Sequence, residues 1–191
     1  MSQAVSQGIR YRLWRRGVPK DRWAGWLADE AGIDEVVAAQ VIGTADAGTD
    51  VDAAVLGCIA SRLGVSGIDE LAQASLADDG VDILLENLRY LFNALPQGGK
   101  QAAAVALGVQ PGTVSRWLQG SEAPPAARLD RIRRYFMLPE TTDLRRDPLF
   151  LHAEPVTVQE RREELHRLVD RLSATTLDGL FVALRRLLRE P

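Results

Sequence analysis

The sequence predicts an all-α protein, and three observations support this fold class. Apolar residues recur at helical spacing, for example over residues 83–95. Breaker residues such as Pro96 and the Gly98-Gly99 pair end these amphipathic segments. The period-2 alternation and turn dipeptides that indicate β-strands are not found in the sequence. We therefore expect two tandem helical units followed by a C-terminal helical hairpin.

The composition is typical of a globular protein with a substantial core. Of the 191 residues, 46% are hydrophobic and 26% are charged. No apolar run reaches the ~18 residues that a membrane span needs. The N-terminus has no apolar stretch followed by a cleavage site, so a signal peptide is not expected. The single cysteine, Cys58, excludes an internal disulfide and favours a reducing compartment. These features predict a cytoplasmic protein that does not contact a membrane.

Charge is unevenly distributed along the chain. The net charge is −3, but residues 1–23 carry six basic residues and one acidic residue. Residues 24–80 carry one arginine and eleven carboxylates. A nucleic-acid-binding protein needs only a local basic face, so the overall acidity does not exclude this class. The basic N-terminal segment either lies along a DNA backbone or neutralises the acidic segment that follows.

Internal comparison reveals three short matches that occur in the same order in two parts of the chain. The matched pairs are 9–11 with 88–90, 27–33 with 103–109, and 53–65 with 126–138. Matches in a common order predict two copies of one unit. The alternative is chance similarity between amphipathic helices, since small apolar residues match easily.

The repeat and the breaker residues together predict three parts of the chain. Residues 5–75 form the first unit, 80–147 the second unit, and 155–190 the C-terminal hairpin. A short linker bracketed by Pro148 and Pro155 precedes the hairpin.

The glycine and proline residues of the second unit predict where its helices begin and end. Lys100–Leu107 is predicted to be a short alanine-rich helix that stops at Gly108. Pro111 suits the first turn of the next helix, because its fixed φ fits there and its missing N–H costs nothing. That helix runs to Leu118, and a further helix spans Ala126–Met137.

The segment Lys100–Trp117 resembles the helix-turn-helix of the lambda-repressor/Cro (Xre) family. Ala104 is the small residue where the two helices touch, and Gly108 turns the chain. Val109 and Val114 are the apolar anchors. The resemblance implies a sequence-specific regulator that binds double-stranded DNA, most simply as a repressor. The helix near residues 111–118 would read the major groove, which is about 12 Å wide and admits one helix.

The outer face of this predicted helix-turn-helix offers donors for bases and phosphates. Arg116 is the best candidate for a bidentate contact to guanine, and Gly112 permits close approach. Lys100 and Gln101 begin the bracing helix, where phosphates are favoured by its dipole. The predicted DNA-binding residues are Lys100, Gln101, Gln110, Gly112, Thr113, Ser115, Arg116 and Gln119.

The first unit departs from this pattern at the same positions. Asp34 and Glu35 replace the polar start of the reading helix, and Gln40 stands where Arg116 does. Such a surface cannot neutralise phosphates. We expect the Val36/Val37 face to pack on the second unit, on a second copy, or on another protein. Residues 24–80 are therefore a predicted protein-binding region.

Two amphipathic helices are predicted after the linker. The apolar residues of the first are Val158, Leu165, Leu168, Val169 and Leu172, and those of the second are Leu177, Leu180, Phe181, Leu184, Leu187 and Leu188. Ser173–Thr176 joins the two helices. The hairpin either completes the core of its own chain or pairs with its twin. We expect a homodimer, because two reading helices about 34 Å apart suit a two-fold operator.

No enzyme pattern is found in the sequence. His152 and His166 lie far apart, with no cysteine or carboxylate at metal-ligand spacing. We expect no catalytic residues, no cofactor and no metal. The alternative to a regulator is a protein-interaction adaptor or antitoxin-like subunit. A basic surface around Lys100 and Arg116 favours the first, and an apolar or acidic surface favours the second.

Overall fold

A computed structural model describes residues 3–43, 51–73, 76 and 79–187. Over these residues the chain is all-α, with eleven α-helices, two short 3₁₀-helices and no strand, which confirms the predicted fold class. The α-helices are α1 (Gln3–Arg15), α2 (Trp23–Ala31), α3 (Glu35–Ile42), α4 (Ala53–Arg62), α5 (Ile68–Ala72), α6 (Ile83–Asn93), α7 (Gly99–Leu107), α8 (Pro111–Gln119), α9 (Ala126–Tyr135), α10 (Val158–Asp170) and α11 (Ala174–Leu187). The 3₁₀-helices span Lys20–Arg22 and Leu149–Leu151.

The helices enclose two hydrophobic cores. The first core lies between α1, α2, α3, α4 and α5 and the second between α6, α7, α8 and α9. The 3₁₀-helix Leu149–Leu151 contributes to both, because Leu149 is buried in the second core while Phe150 and Leu151 are buried in the first. The predicted linker between Pro148 and Pro155 was therefore wrong for this stretch. Its three apolar residues join the two cores instead of spanning solvent.

The two helix pairs α2–α3 and α7–α8 share one backbone turn. Gly32 and Gly108 both adopt the left-handed conformation, at φ 64° and 66°. The amide of the next residue returns to the helix in both cases: Ile33 N donates to Ala28 O at 3.1 Å, and Val109 N donates to Ala104 O at 3.0 Å. Glycine suits this position because a side chain at positive φ is strained.

In each unit, an arginine on the first helix donates a hydrogen bond to a carbonyl near the C-terminal end of the third helix. The Arg10 guanidinium donates to the Ile42 carbonyl at 2.6 Å, and Arg89 Nε donates to the Leu118 carbonyl at 3.0 Å. The last carbonyls of a helix have no partner within it, so a cation is a favourable cap there. This contact gives a physical reason for the repeated Ile-Arg-Tyr and Leu-Arg-Tyr sequences. The assignment of either unit to the lambda-repressor fold stays a prediction.

Helices α4 and α9 also end alike, but on different residues. Leu63 N donates to Ile59 O at 2.8 Å, and Phe136 N donates to Ile132 O at 3.0 Å. The next residue is left-handed in both units, at Gly64 (φ 73°) and at Met137 (φ 52°). Met137 is the one non-glycine residue at positive φ in the described chain. Its side chain is mostly exposed, so packing does not require a methionine there.

Replacing Met137 with glycine is expected to stabilise the protein by about 0.5–1 kcal/mol, since it removes the left-handed strain of an L side chain. Urea denaturation of both proteins measures the difference. Gly64→Ala is the reciprocal control and should destabilise by a similar amount. A destabilising Met137→Gly would mean that the exposed side chain makes a contact worth more than the strain.

The basic N-terminal segment pairs with carboxylates and carbonyls of its own chain. Arg12 lies 3.7 Å from Glu70, and Arg15 lies 3.0 Å from Asp79. Arg16 donates to the Arg62 carbonyl at 3.1 Å. Of the two alternatives left open by the sequence, the structure favours neutralisation of the acidic segment.

The two C-terminal helices bury no residue in either core, although the first turn of α10 contacts Lys20 through Glu160. Helix α10 begins with a capping box, in which Thr157 accepts from Glu160 N at 3.1 Å. Neither α10 nor α11 contains a buried residue, and the two helices make little contact with each other. Both predicted helices are present, and neither has a residue buried in the cores of its own chain. Pairing with a second copy stays a prediction. Leu188 lies outside the described residues.

Candidate nucleic-acid interface

The predicted helix-turn-helix corresponds to α7 and α8, whose inner faces are buried in the second core. Ala104 on α7 is fully buried, so the two helices approach closely. Gly108 ends α7, and Pro111 occupies the first turn of α8. Helix α8 buries Val114 and Trp117 in the second core. Because two of the nine residues of α8 are buried in the core, the directions of its other side chains are fixed by the helix geometry.

The predicted DNA-binding residues are directed outward by this packing. The exposed members are Lys100, Gln101, Gln110, Gly112, Ser115, Arg116 and Gln119. Thr113 is the exception and is half-buried. For Gly112, Ser115, Arg116 and Gln119 the helical period of α8 explains the exposure, because these positions avoid the face of Val114 and Trp117.

Arg116 is oriented by two neighbours on the same surface. Its Nε lies 2.8 Å from Glu122 Oε2, and a terminal nitrogen donates to Thr113 Oγ1 at 3.0 Å. Both partners of the ion pair are about half-exposed, so the pair orients the guanidinium without contributing much stability. The guanidinium has five N–H groups, and the terminal edge keeps donors for another acceptor. Glu122 was missed by the sequence analysis, since nothing in the spacing assigns it to Arg116.

Two of the side chains predicted to bind DNA, Lys100 and Ser115, already have partners. Lys100 Nζ donates to Asn93 Oδ1 at 2.7 Å, which leaves two of its three N–H groups. Ser115 Oγ lies 3.3 Å from the Pro111 carbonyl, a common bond for serine inside a helix. Lys100 can thus donate to a phosphate without breaking its bond to Asn93. Ser115 must first break its hydrogen bond to the Pro111 carbonyl.

Two arginines from α9 flank the turn that precedes α8. The Arg128 guanidinium donates to the Leu107 carbonyl at the end of α7. A terminal nitrogen of Arg128 and one of Arg131 each come within 3.5 Å of the Cβ position at Gly108. Arg128 and Arg131 therefore place two positive charges beside the turn between α7 and α8. Arg133 instead pairs with Asp130 at 3.3 Å.

The first unit lacks these charges at the matching turn. Val55 and Cys58 stand on α4 where α9 has Arg128 and Arg131. Cys58 Sγ lies 3.5 Å from the Ala31 carbonyl, near the end of α2. Between residues 23 and 62 there are one basic and seven acidic residues, against six basic and two acidic between 99 and 135. The two turns have the same backbone geometry and opposite electrostatics.

Helix α3 of the first unit exposes a mixed acidic and apolar surface. Asp34 caps the helix by accepting from Val36 N at 2.7 Å, so its carboxylate has a structural role. Val36 is 62% exposed. Of the three alternatives for the Val36/Val37 face, packing of Val36 on the second unit is not seen, and packing on a second copy or another protein stays a prediction. Val36 lies instead on a groove of about 740 Å³ between α3 and α10, which Glu163 and Arg167 also line.

A partly buried polar cluster joins the first unit, the second unit and α10. Lys20 Nζ lies 2.9 Å from Tyr90 OH and 3.0 Å from Glu160 Oε1. Tyr90 OH donates to Glu160 Oε2 at 2.5 Å. Burial lowers the pKa of Lys20, and burial together with the Glu160 hydrogen bond raises the pKa of Tyr90. Burial alone would raise the pKa of Glu160, but its hydrogen bonds and the Lys20 charge lower it. This cluster fixes where α10 starts.

Comparisons with known proteins return no match. No family model matches the chain, and no curated protein or solved structure is significantly similar to it. Among the described residues, no helix combines the length and hydropathy needed to cross a bilayer.

Proposed function

We propose that this chain is a cytoplasmic, sequence-specific DNA-binding transcriptional regulator without enzymatic activity, most simply a repressor. One observation carries the proposal. Helix α8 holds its apolar side in the core while Arg116 and its polar neighbours face solvent, beside a turn flanked by Arg128 and Arg131. A basic, polar surface of this kind supports a regulator over an adaptor.

The proposed mechanism places α8 in the major groove of double-stranded DNA. Arg116 donates to a guanine edge, which is worth about 1–3 kcal/mol of discrimination. Gln110 and Gln119 contact neighbouring base edges, and Gly112 lets the helix approach. Lys100 and Arg131 contact phosphates, which fixes the register without reading sequence. Repression follows when the bound protein occupies a promoter.

Selection of bound DNA from a random duplex pool tests this proposal. The wild-type protein should enrich a short motif containing guanine at low salt. Arg116→Ala should weaken binding to the enriched motif by about 1–3 kcal/mol and relax the preference at one position. Arg62→Ala removes an exposed arginine from the first unit and is the matched control, expected to leave the motif unchanged. Failure to enrich any sequence would refute the proposal, whereas enrichment insensitive to Arg116→Ala would refute only the role of Arg116.

The phosphate contact of Lys100 has a different signature from that of Arg116. Lys100→Ala should weaken binding to all sequences alike and reduce the salt dependence of log K by about one unit. Fluorescence anisotropy over a salt series measures both quantities on one labelled duplex. A change in preferred sequence would instead place Lys100 at a base.

A second candidate function is a protein-interaction adaptor or antitoxin-like subunit. The observation that favours it is the open groove beside α3, where exposed Val36 lies among charged side chains of both signs. Val36→Asp would then abolish binding of a purified partner, while Val105→Asp, on the exposed surface of α7, would not. Under the DNA-binding proposal, Val105→Asp should weaken DNA binding, because α7 belongs to the helix-turn-helix. Val36→Asp should leave DNA binding unchanged.

A further inference from the structure

Helix α11 presents an unpartnered apolar stripe to solvent. Five large side chains recur on one face at helical spacing: Leu177, Leu180, Phe181, Leu184 and Leu187. Their exposed fractions run from 36% to 69%. Helix α10 adds Leu165 and Leu168, which are each about half-exposed. Solvent exposure of this many aligned leucines is costly, and such patches mark interaction surfaces.

The area of the stripe fits association with a second protein chain. Together the five α11 side chains expose on the order of 500 Å², and one partner of a standard interface buries about 800 Å². The polar flanks of the two helices can supply the remainder. Within one chain nothing in the described residues covers the stripe, because neither helix has a buried residue.

The charges on α11 point to a second copy of the same helix. Asp178 and Arg185 are seven residues apart, two helical turns, and so lie on the same flank of the stripe. Arg185 lies over the Phe181 ring, 5.8 Å from its centroid, next to the apolar face. In an antiparallel pair centred near Phe181, Asp178 of each copy faces Arg185 of the other. In a parallel pair Asp178 would lie level with Asp178 of the copy, without that attraction.

We propose that the protein forms a homodimer by antiparallel, two-fold pairing of α11 from two chains. Leu177 and Leu180 of one chain pack on Leu187 and Leu184 of the other, and Phe181 lies near the two-fold axis. The proposal goes beyond DNA binding and does not depend on it, since association is measured without DNA. It assigns dimer formation to α11 and leaves the helix-turn-helix free.

Sedimentation equilibrium of the full chain tests the pairing. The wild-type protein should be dimeric at micromolar concentration, and Leu180→Asp with Leu184→Asp should make it monomeric. Both leucines are exposed within one chain, so far-UV circular dichroism should show no loss of folding. A monomeric wild type, or a dimer that survives the double substitution, would overturn the proposal.

A charge-reversal cycle tests the antiparallel register. Asp178→Arg or Arg185→Asp alone should raise the dimer dissociation constant about tenfold, because two symmetric ion pairs become repulsive. The double variant should restore wild-type affinity, since it re-forms both pairs with reversed sign. Single variants that dimerise like the wild type, or a double variant that remains weak, would refute this register.

Disulfide trapping locates the two-fold axis. In a Cys58→Ser background, Phe181→Cys should form a disulfide-linked dimer on mild oxidation, because the two copies of residue 181 meet near the axis. Gly179→Cys is the matched control on the opposite face of the same helix and should remain monomeric on a denaturing gel. Equal cross-linking of both variants would indicate random collision and contradict the assigned face.

Discussion

Replacing Gly8 with alanine is expected to lower the free energy of unfolding by about 3 kcal/mol, at the upper end of overpacking effects. Helix α5 crosses α1 directly over Gly8. A Cβ at this position would overlap the carbonyl oxygen of Leu71 and lie 2.7 Å from its carbonyl carbon. A backbone carbonyl cannot rotate away as a side chain can, so α5 must move off α1. Leu71 is fully buried in the first core, and its displacement opens that core.

Gly57→Ala provides a matched control for the Gly8 substitution. Gly57 also lies inside a helix, α4, but it is exposed and no atom lies within 4 Å of its Cβ position. Alanine there should stabilise the protein by about 0.5–1 kcal/mol, because it reduces the entropy of the unfolded chain. Urea denaturation followed by tryptophan fluorescence measures both variants, since three of the four tryptophans lie in the first unit. Opposite signs are expected, and a shared sign would contradict the close crossing at Gly8.

The local features of the fold could be predicted because short-range chemistry determines them. Gly108 and Pro111 marked the turn between α7 and α8, and both act through their own backbone angles. The outward positions of α8 followed from helical period once Val114 was assigned to the core. Seven of the eight predicted site residues are exposed, and for the four of them on α8 the helical period is the reason.

Contacts between distant segments could not be predicted from the sequence. Leu149–Leu151 is too short to show a period, and the prolines around it suggested a linker. Lys20 forms an ion pair with Glu160, which is far from it in sequence, and no local sequence pattern indicates this pairing. Amphipathic spacing predicted apolar stripes on α10 and α11, but it does not say whether such faces close on each other. The partner of Arg116, Glu122, was missed because exposed ion pairs follow side-chain reach and not spacing.

Asn87→Leu is expected to destabilise the second unit by about 3 kcal/mol or more, the cost of leaving several buried polar groups unpaired. Asn87 is fully buried on α6. Its Nδ2 donates to the Leu144 carbonyl at 2.9 Å and to the Asp147 carbonyl at 2.7 Å, and its Oδ1 accepts from Leu149 N at 2.8 Å. Leucine has a similar volume and satisfies none of these groups. Asn93→Ala, at the exposed end of the same helix, is the control and should change stability by less than about 0.5 kcal/mol.

The destabilisation caused by Asn87→Leu should extend into the first core. The Asn87 amide bonds the backbone just before and at the start of Leu149–Leu151, and this segment contributes to both cores. Hydrogen exchange of the Leu149 amide should accelerate in Asn87→Leu, and exchange around Phe150 should follow. Unchanged protection of the Leu149 amide would mean that the segment is held by its apolar residues alone.

The position of Asn87 can be compared with the matching position in the first unit. In the alignment of the two units, Gly8 matches Asn87 and Leu71 matches Leu144. In the first unit the Leu71 carbonyl rests on the bare backbone of Gly8, whereas in the second the Leu144 carbonyl is reached by an amide. Each residue therefore suits only its own unit: alanine is too large at position 8, and leucine cannot form the hydrogen bonds required at position 87.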